Sequence, residues 1–191
     1  SALSSYTSSL TCTNANAGSA TVMPNNLAVT SHNLGTLAYG DGVTCMFTNT
    51  PKRPTLTVMK TSTILTDPVN GGANPKRIPG AMVRYDVSTT NSGPGAVDAS
   101  TLVITDPIPA SSSLCVSTLC ANPVVEFLDG GTPSGLAFNF AGNVSYSNMP
   151  GGGAPFTYTP VADASGFDSA VTGIRIAPTG TMSGAGGGNP S

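Results

Sequence analysis

The sequence predicts an all-β protein, an immunoglobulin-like antiparallel β-sandwich that lacks its last strand and follows a small N-terminal β segment. Three observations predict it. Ten short segments rich in Val, Thr, Ile, Tyr or Phe follow one another along the chain, Pro- and Gly-rich turn signals separate them, and no sustained 3.6-residue apolar period occurs.

In chain order, "YTSSLTCT", "NLAVTS" and "VTCMFTNT" are the strand-like segments of the N-terminal piece. The stretch "NTPKRPTLTV" then places two prolines and two charges between strands, which makes it the best domain boundary. It divides the chain into residues 1–50, a β segment marginal for an independent core, and 51–191, ample for one sandwich. Beyond it come "TLTVMKTST", "AMVRYDVSTT", "TLVITDPIP", "PVVEFL", "LAFNFAG", "FTYTPV" and "VTGIRIAP". The turns between them read "DPVNGGANPKRIPG", "NSGPGAVD", "LDGGTPSG" and "MPGGGAP". In "GIRIAP", Ile174 and Ile176 alternate with Gly173, Arg175 and Ala177, the period of a strand. The closing "TGTMSGAGGGNPS" reads as a long turn that leads into no strand.

Composition narrows the function. Only 8% of the 191 residues are charged, against roughly 25% in ordinary soluble domains. A coat of Ser, Thr, Asn, Gly and Pro takes their place, as in secreted fibrous and surface proteins. The seven basic residues against nine acidic ones form no stripe or patch along the chain, so nucleic acid is a poor partner. No apolar run is long enough to span a bilayer. The chain begins at Ser1 without an initiator Met or signal peptide pattern, as expected of a processed chain.

The four cysteines, Cys12, Cys45, Cys115 and Cys120, lack the Cys-x-x-Cys pairs and histidine partners of a zinc site. Each half of the chain holds one pair, which favours Cys12 with Cys45 and Cys115 with Cys120 among three connectivities. Bridges place the protein outside the cytosol. Four buried free thiols are the alternative.

Catalytic constellations are missing. His32, the sole histidine, sits among turn-like residues in "VTSHNLG" and has no Gly-x-Ser-x-Gly elbow to serve. A carboxylate pair would have to combine Glu126 with one of eight Asp, most of which stand beside Pro or Gly, where they shape turns. Asp163 and Asp168 in "DASGFD" surround a glycine as a calcium loop would, but with too few acids for an EF-hand. Lys60 would need an Asn and a buried acid beside it to form an isopeptide cross-link, and its place near a strand end favours a solvated lysine. Asn143 in "NVS" fits a three-residue glycosylation sequon. No enzyme activity, cofactor or metal is expected.

The passages "TNTPKRPTLTVMKTS", "NPKRIPGAMVRYDVSTTNSGPGAVDASTLVITDPIPASSSL", "PVVEF", "PSGLAF" and "FTYTPVADASGFDSAVTGIRIAPTGTMSGAGGGNPS" resemble, over residues 45–191, the repeat domain of bacterial surface proteins known as domain of unknown function 11. Residues before them are similar to the tail of a module that precedes this repeat in large Gram-negative surface proteins. The resemblance implies an extracellular immunoglobulin-like module of a stalk, adhesin or fibre on the bacterial cell surface, with no catalytic residues to transfer. Its motif positions have structural explanations here: Pro79 and Gly80 turn into the strand carrying Val83, Tyr85 and Val87, and Asp106 with Pro107 closes the next strand. It also implies that the turn ending in "NPS" should run on into a final alternating strand.

Two functions from different classes follow as expectations. The first is a filament or pilus subunit polymerising head to tail with copies of itself, the missing strand supplied by the N-terminal region of another copy. Leu3, Tyr6 and Leu10 would then fill its pockets. The second is an adhesin or stalk module that binds a glycan or protein on a host or neighbouring cell. With no Trp and only 6% aromatic residues, a stacking platform for ligands is poorly supplied, which favours the structural role. A fragment of a larger protein is the rival explanation of the absent strand.

Overall fold

The computed structural model describes residues 3–185. The closing "GGGNPS" lies outside the described residues, as do the first two residues and the side chain of Leu3. The chain forms two compact units, Ser1–Arg53 and Pro54–Ser191. It is nearly all β, and every strand pair is antiparallel.

Unit 1 is a hairpin under a long loop. A single 3-10 turn, Leu3–Ser5, leads into β1 (Tyr6–Asn14), which pairs with β2 (Val43–Pro51) along nine residues from Tyr6 opposite Pro51 to Asn14 opposite Val43. Ser8, Leu10 and Cys12 alternate to one face of β1 and are buried, as a period of two requires. On its other edge, Leu10 exchanges both backbone bonds with Leu27 (2.8 and 2.9 Å), and the Cys12 N–H donates to the Pro24 carbonyl. The expected strand "NLAVTS" is therefore reduced to one bridge at Leu27. Because Leu10 and Cys12 send their amides outward, they sit at non-hydrogen-bonded sites of the β1–β2 ladder. There opposed Cα atoms come closest. Cys12 and Cys45 face each other at such a site with Cα atoms 4.1 Å apart and are joined by a disulfide.

Unit 2 begins with a long ribbon, β3 (Leu56–Thr66) and β4 (Met82–Asn91), in register from Leu56 opposite Asn91 to Thr66 opposite Met82 with a bulge near Leu65. Then come β5 (Ile104–Pro107), β6 (Leu114–Cys115), β7 (Leu136–Ala137), the one-turn α1 (Phe140–Asn143), β8 (Val144–Ser147), β9 (Phe167–Asp168), β10 (Gly173–Ile176) and β11 (Thr179–Gly180). β10 is the centre of a three-stranded sheet between β5 and β8, while β6 pairs with β9 and β11 with β7. A second disulfide joins Cys115 to Cys120.

Two expected strands of unit 2 take other forms. "PVVEFL" forms no ladder, and Pro123 at its head has no N–H to offer one. "FTYTPV" shrinks to a bridge between Tyr158 and Tyr146, after which Pro160 again withholds a donor. In "LAFNFAG" only the first two residues are strand, because Asn139 stops the ladder and caps α1 by accepting from the Gly142 N–H.

The core of unit 2 has two clusters. One is Val97, Leu102 and Met182 with Leu136 against it, and the other centres on Tyr146, Val171 and Ile174. Between ribbon and body stands Asn91, wholly buried and satisfied on all four of its hydrogen-bonding positions. Its Oδ1 accepts from the N–H of Thr55 and Gly93, and its Nδ2 donates to the carbonyls of Gly95 and Ser183 (2.8–3.1 Å). This side chain fastens the end of β4, the "NSGPG" turn and the segment after β11 to one point. Close backbone approach fixes another point, where a Cβ on Gly173 would lie 2.1 Å from the Gly152 carbonyl oxygen, so only glycine fits.

Candidate functional site

The polar groups that sequence reasoning weighed for chemistry are engaged in holding loops. Asp168, buried, accepts from the N–H of Val161 and Ala170 and from the Tyr158 hydroxyl. Burial pushes its carboxyl up, and these donors outweigh that and leave it below the usual range. Asp163 accepts from the N–H of Ser165 and Phe167. The two carboxylates of "DASGFD" thus serve separate turns. Among the described residues no three His, Cys, Asp or Glu side chains gather as metal ligands would. His32 lies exposed in the long loop of unit 1. The Asn143 amide, 8% exposed, donates to the Ala177 carbonyl and its oxygen accepts from the Asn139 N–H, so the sequon nitrogen is occupied by the fold.

Lys60 is found on a carboxylate. Its ammonium sits 2.6 Å from Asp106 on β5 and 4.5 Å from the centroid of the Tyr85 ring. The pair is partly exposed, and its partners are an Asp and a ring, with no Asn as an isopeptide link of the kind considered would need.

What unit 2 does present is an open β surface. No strand outside the hairpin pairs with β3 or β4 among the described residues, so their outer edges carry unpaired N–H and C=O groups. The ribbon has two unlike faces. Thr57, Met59, Thr61 and Thr63 lie with Thr90, Ser88, Asp86 and Arg84 on one. Leu56, Val58, Lys60, Ser62 and Ile64 lie with Asn91, Thr89, Val87, Tyr85 and Val83 on the other. The second face is the more apolar of the two and is turned to the body by the Lys60–Asp106 contact. Yet Val58 on it remains 60% exposed and Leu56 43%. Beside Val58, the Thr89 hydroxyl is buried without a hydrogen-bond partner. Apolar side chains on an inward face normally lose far more of their surface.

The residues expected to donate a strand are placed differently. Leu10 is 3% exposed and paired on both edges of β1, and Tyr6 heads the β1–β2 ladder. Leu3 opens the short turn before them, and its side chain lies outside the described residues. Sequence reasoning missed the ribbon as a surface, although alternation in "TLTVMKTST" and "AMVRYDVSTT" marks its apolar face. The chain alone holds no signal that this face stays uncovered.

The structure contains no helix long and apolar enough to cross a membrane among the described residues. No curated protein and no solved structure matches the chain. The resemblance of residues 45–191 to domain of unknown function 11 is not shown by family comparison, whose match ends at residue 51. That match covers residues 1–51 and is to a prealbumin-like fold domain, a domain found in Gram-positive pilus proteins.

Proposed function

We propose that the chain is a structural module of a bacterial surface filament, lying outside the cell, which joins copies of itself by β-strand addition at the β3–β4 ribbon. The observation that carries this reading is the ribbon itself, two long strands whose ladder pairs, among the described residues, only with each other, with Val58 and Leu56 exposed on one face. Strand addition supplies the missing backbone partners and sets apolar side chains of the added strand beside Val58 and Leu56. The match of residues 1–51 to a domain of pilus proteins supports the same class of role. The ribbon acts as acceptor. For β1 to donate itself, nine paired positions and the Leu27 bridge would have to open, so an already extended edge of another copy is the easier donor.

Electron microscopy of the concentrated protein tests the reading, with filaments as the expected result. A chain that stays monomeric at high concentration sinks it. Removal of Ser1–Thr11 sorts the donors: filaments that persist assign donation to the ribbon edge, and filaments that vanish return it to β1.

A further inference from the structure

The turn that joins β3 to β4 is built as a rigid knob. The Asp67 carboxylate is buried and accepts the backbone N–H of Val69 (2.7 Å), of Asn70 (2.6 Å) and of Lys76, together with the side-chain amide of Asn70. Backbone bonds run both ways between Asp67 and Gly71. One carboxylate therefore holds the start, the middle and the end of the loop. Groups presented on such a loop lose little conformational freedom on contact. Those groups are Val69, 78% exposed, and the exposed Lys76 and Arg77.

Charge in unit 2 is divided between ribbon and remainder. Residues 56–91 carry Lys60, Lys76, Arg77 and Arg84 against Asp67 and Asp86, a net +2. Residues 92–191 carry Arg175 against Asp98, Asp106, Glu126, Asp129, Asp163 and Asp168, a net −5. Lys60 is taken up by Asp106 and Arg84 by Asp86. Lys76 and Arg77 instead donate their side chains to the neutral oxygens of Asn74 and Ser62, and among the described residues neither forms an ion pair. In the acidic remainder, exposed Glu126 stands beside Leu128, which is 78% exposed. A cationic knob tipped by an apolar side chain and an anionic stretch with an apolar side chain of its own are complementary in both respects.

The geometry points to a contact in which the Val69, Lys76 and Arg77 knob of one copy docks on the exposed stretch around Glu126 and Leu128 of a second copy. This inference rests on the self-associating reading above and gives it a direction. Because knob and receiving surface are different parts of one chain, the contact is heterologous and repeats from copy to copy. Knob against knob is rejected by like charge.

Sedimentation velocity on the full chain tests the contact. Association is expected to weaken roughly tenfold between about 0.02 M and about 0.5 M salt, as charge contacts are screened. The double variant K76E/R77E and the double variant E126K/L128K each lose association alone, and an equimolar mixture of the two regains it. None of the four positions is buried, and circular dichroism of each variant confirms that the β structure is kept. Association that survives K76E/R77E, or a mixture that fails to recover, overturns the docking contact and leaves strand addition standing. A wild-type chain that never associates removes both.

Discussion

Unit 1 and unit 2 are both antiparallel and differ in what holds them. Among the described residues of unit 1, only Ser8, Leu10 and Cys12 are buried, all on one face of β1. So small a burial cannot offset the entropy of ordering about fifty residues. A covalent bridge and a polar hub take over. Asp41 accepts from the Asn14 amide (2.7 Å), the Thr21 hydroxyl (2.6 Å) and the Ala38 N–H (2.8 Å), which ties the long loop back to the end of β1. Unit 2 has two apolar clusters, and its polar anchor, Asn91, is neutral and inside. The small unit organises itself with links that chemistry can cut, whereas the larger one, which also holds the short Cys115–Cys120 bridge, adds packing and buried amide bonds.

Hydrogen exchange read separately for the two units can break this comparison. The largest effect is expected at Asn91→Ala, which leaves the N–H of Thr55 and Gly93 and the carbonyls of Gly95 and Ser183 without partners, at a cost of about 4 kcal/mol. Protection should collapse across unit 2 and stay unchanged in unit 1. Equal loss in both would mean that the units do not fold independently.

Next in size is the pair Cys12→Ser and Cys45→Ser. Opening a loop with a separation of 33 residues costs about 3 to 4 kcal/mol on the chain-entropy account. Unit 1 should lose its exchange protection while unit 2 retains its own. A reduced unit 1 that remained protected would show that the polar hub suffices.

Acid sharpens the contrast with a smaller effect. The Ser19 and Thr21 hydroxyls and the Asn14 amide hold the Asp41 carboxyl far below the ordinary carboxylate range. The folded state therefore binds this proton less readily than the unfolded chain does. Its stabilisation is present above the unfolded value of about 4 and is lost as pH falls below it. Asp67 in unit 2, with the Asn70 N–H as its strongest donor, follows the same sign. Asp41→Asn should flatten the acid dependence of unit 1 below about pH 4 and leave the turn of unit 2 acid-sensitive. Identical acid curves for variant and parent would remove Asp41 as the hub.

Much of this protein was open to reading along the chain because its determinants are local. Alternation in "TLTVMKTST" and "GIRIAP", and turn chemistry in "NSGPG", act over a few residues, and the strands stand there. The charged turn was also legible, since Lys76 and Arg77 are adjacent, yet a reading that looked for a long basic stripe passed over a two-residue knob. Where prolines interrupt apolar runs, as at Pro123 and Pro160, propensity named strands that the ladder could not accept.

By itself the sequence determined the all-β class and the positions of the longest strands, because propensity and turn geometry need no distant partner. Only the tertiary structure decided that β1 is paired on both edges, that Asn91 spends all four hydrogen bonds inside, and that the apolar face of β3 and β4 stays exposed. Those outcomes depend on contacts between residues far apart in the chain. An alternating strand carries the same letters whether its neighbour is present or missing.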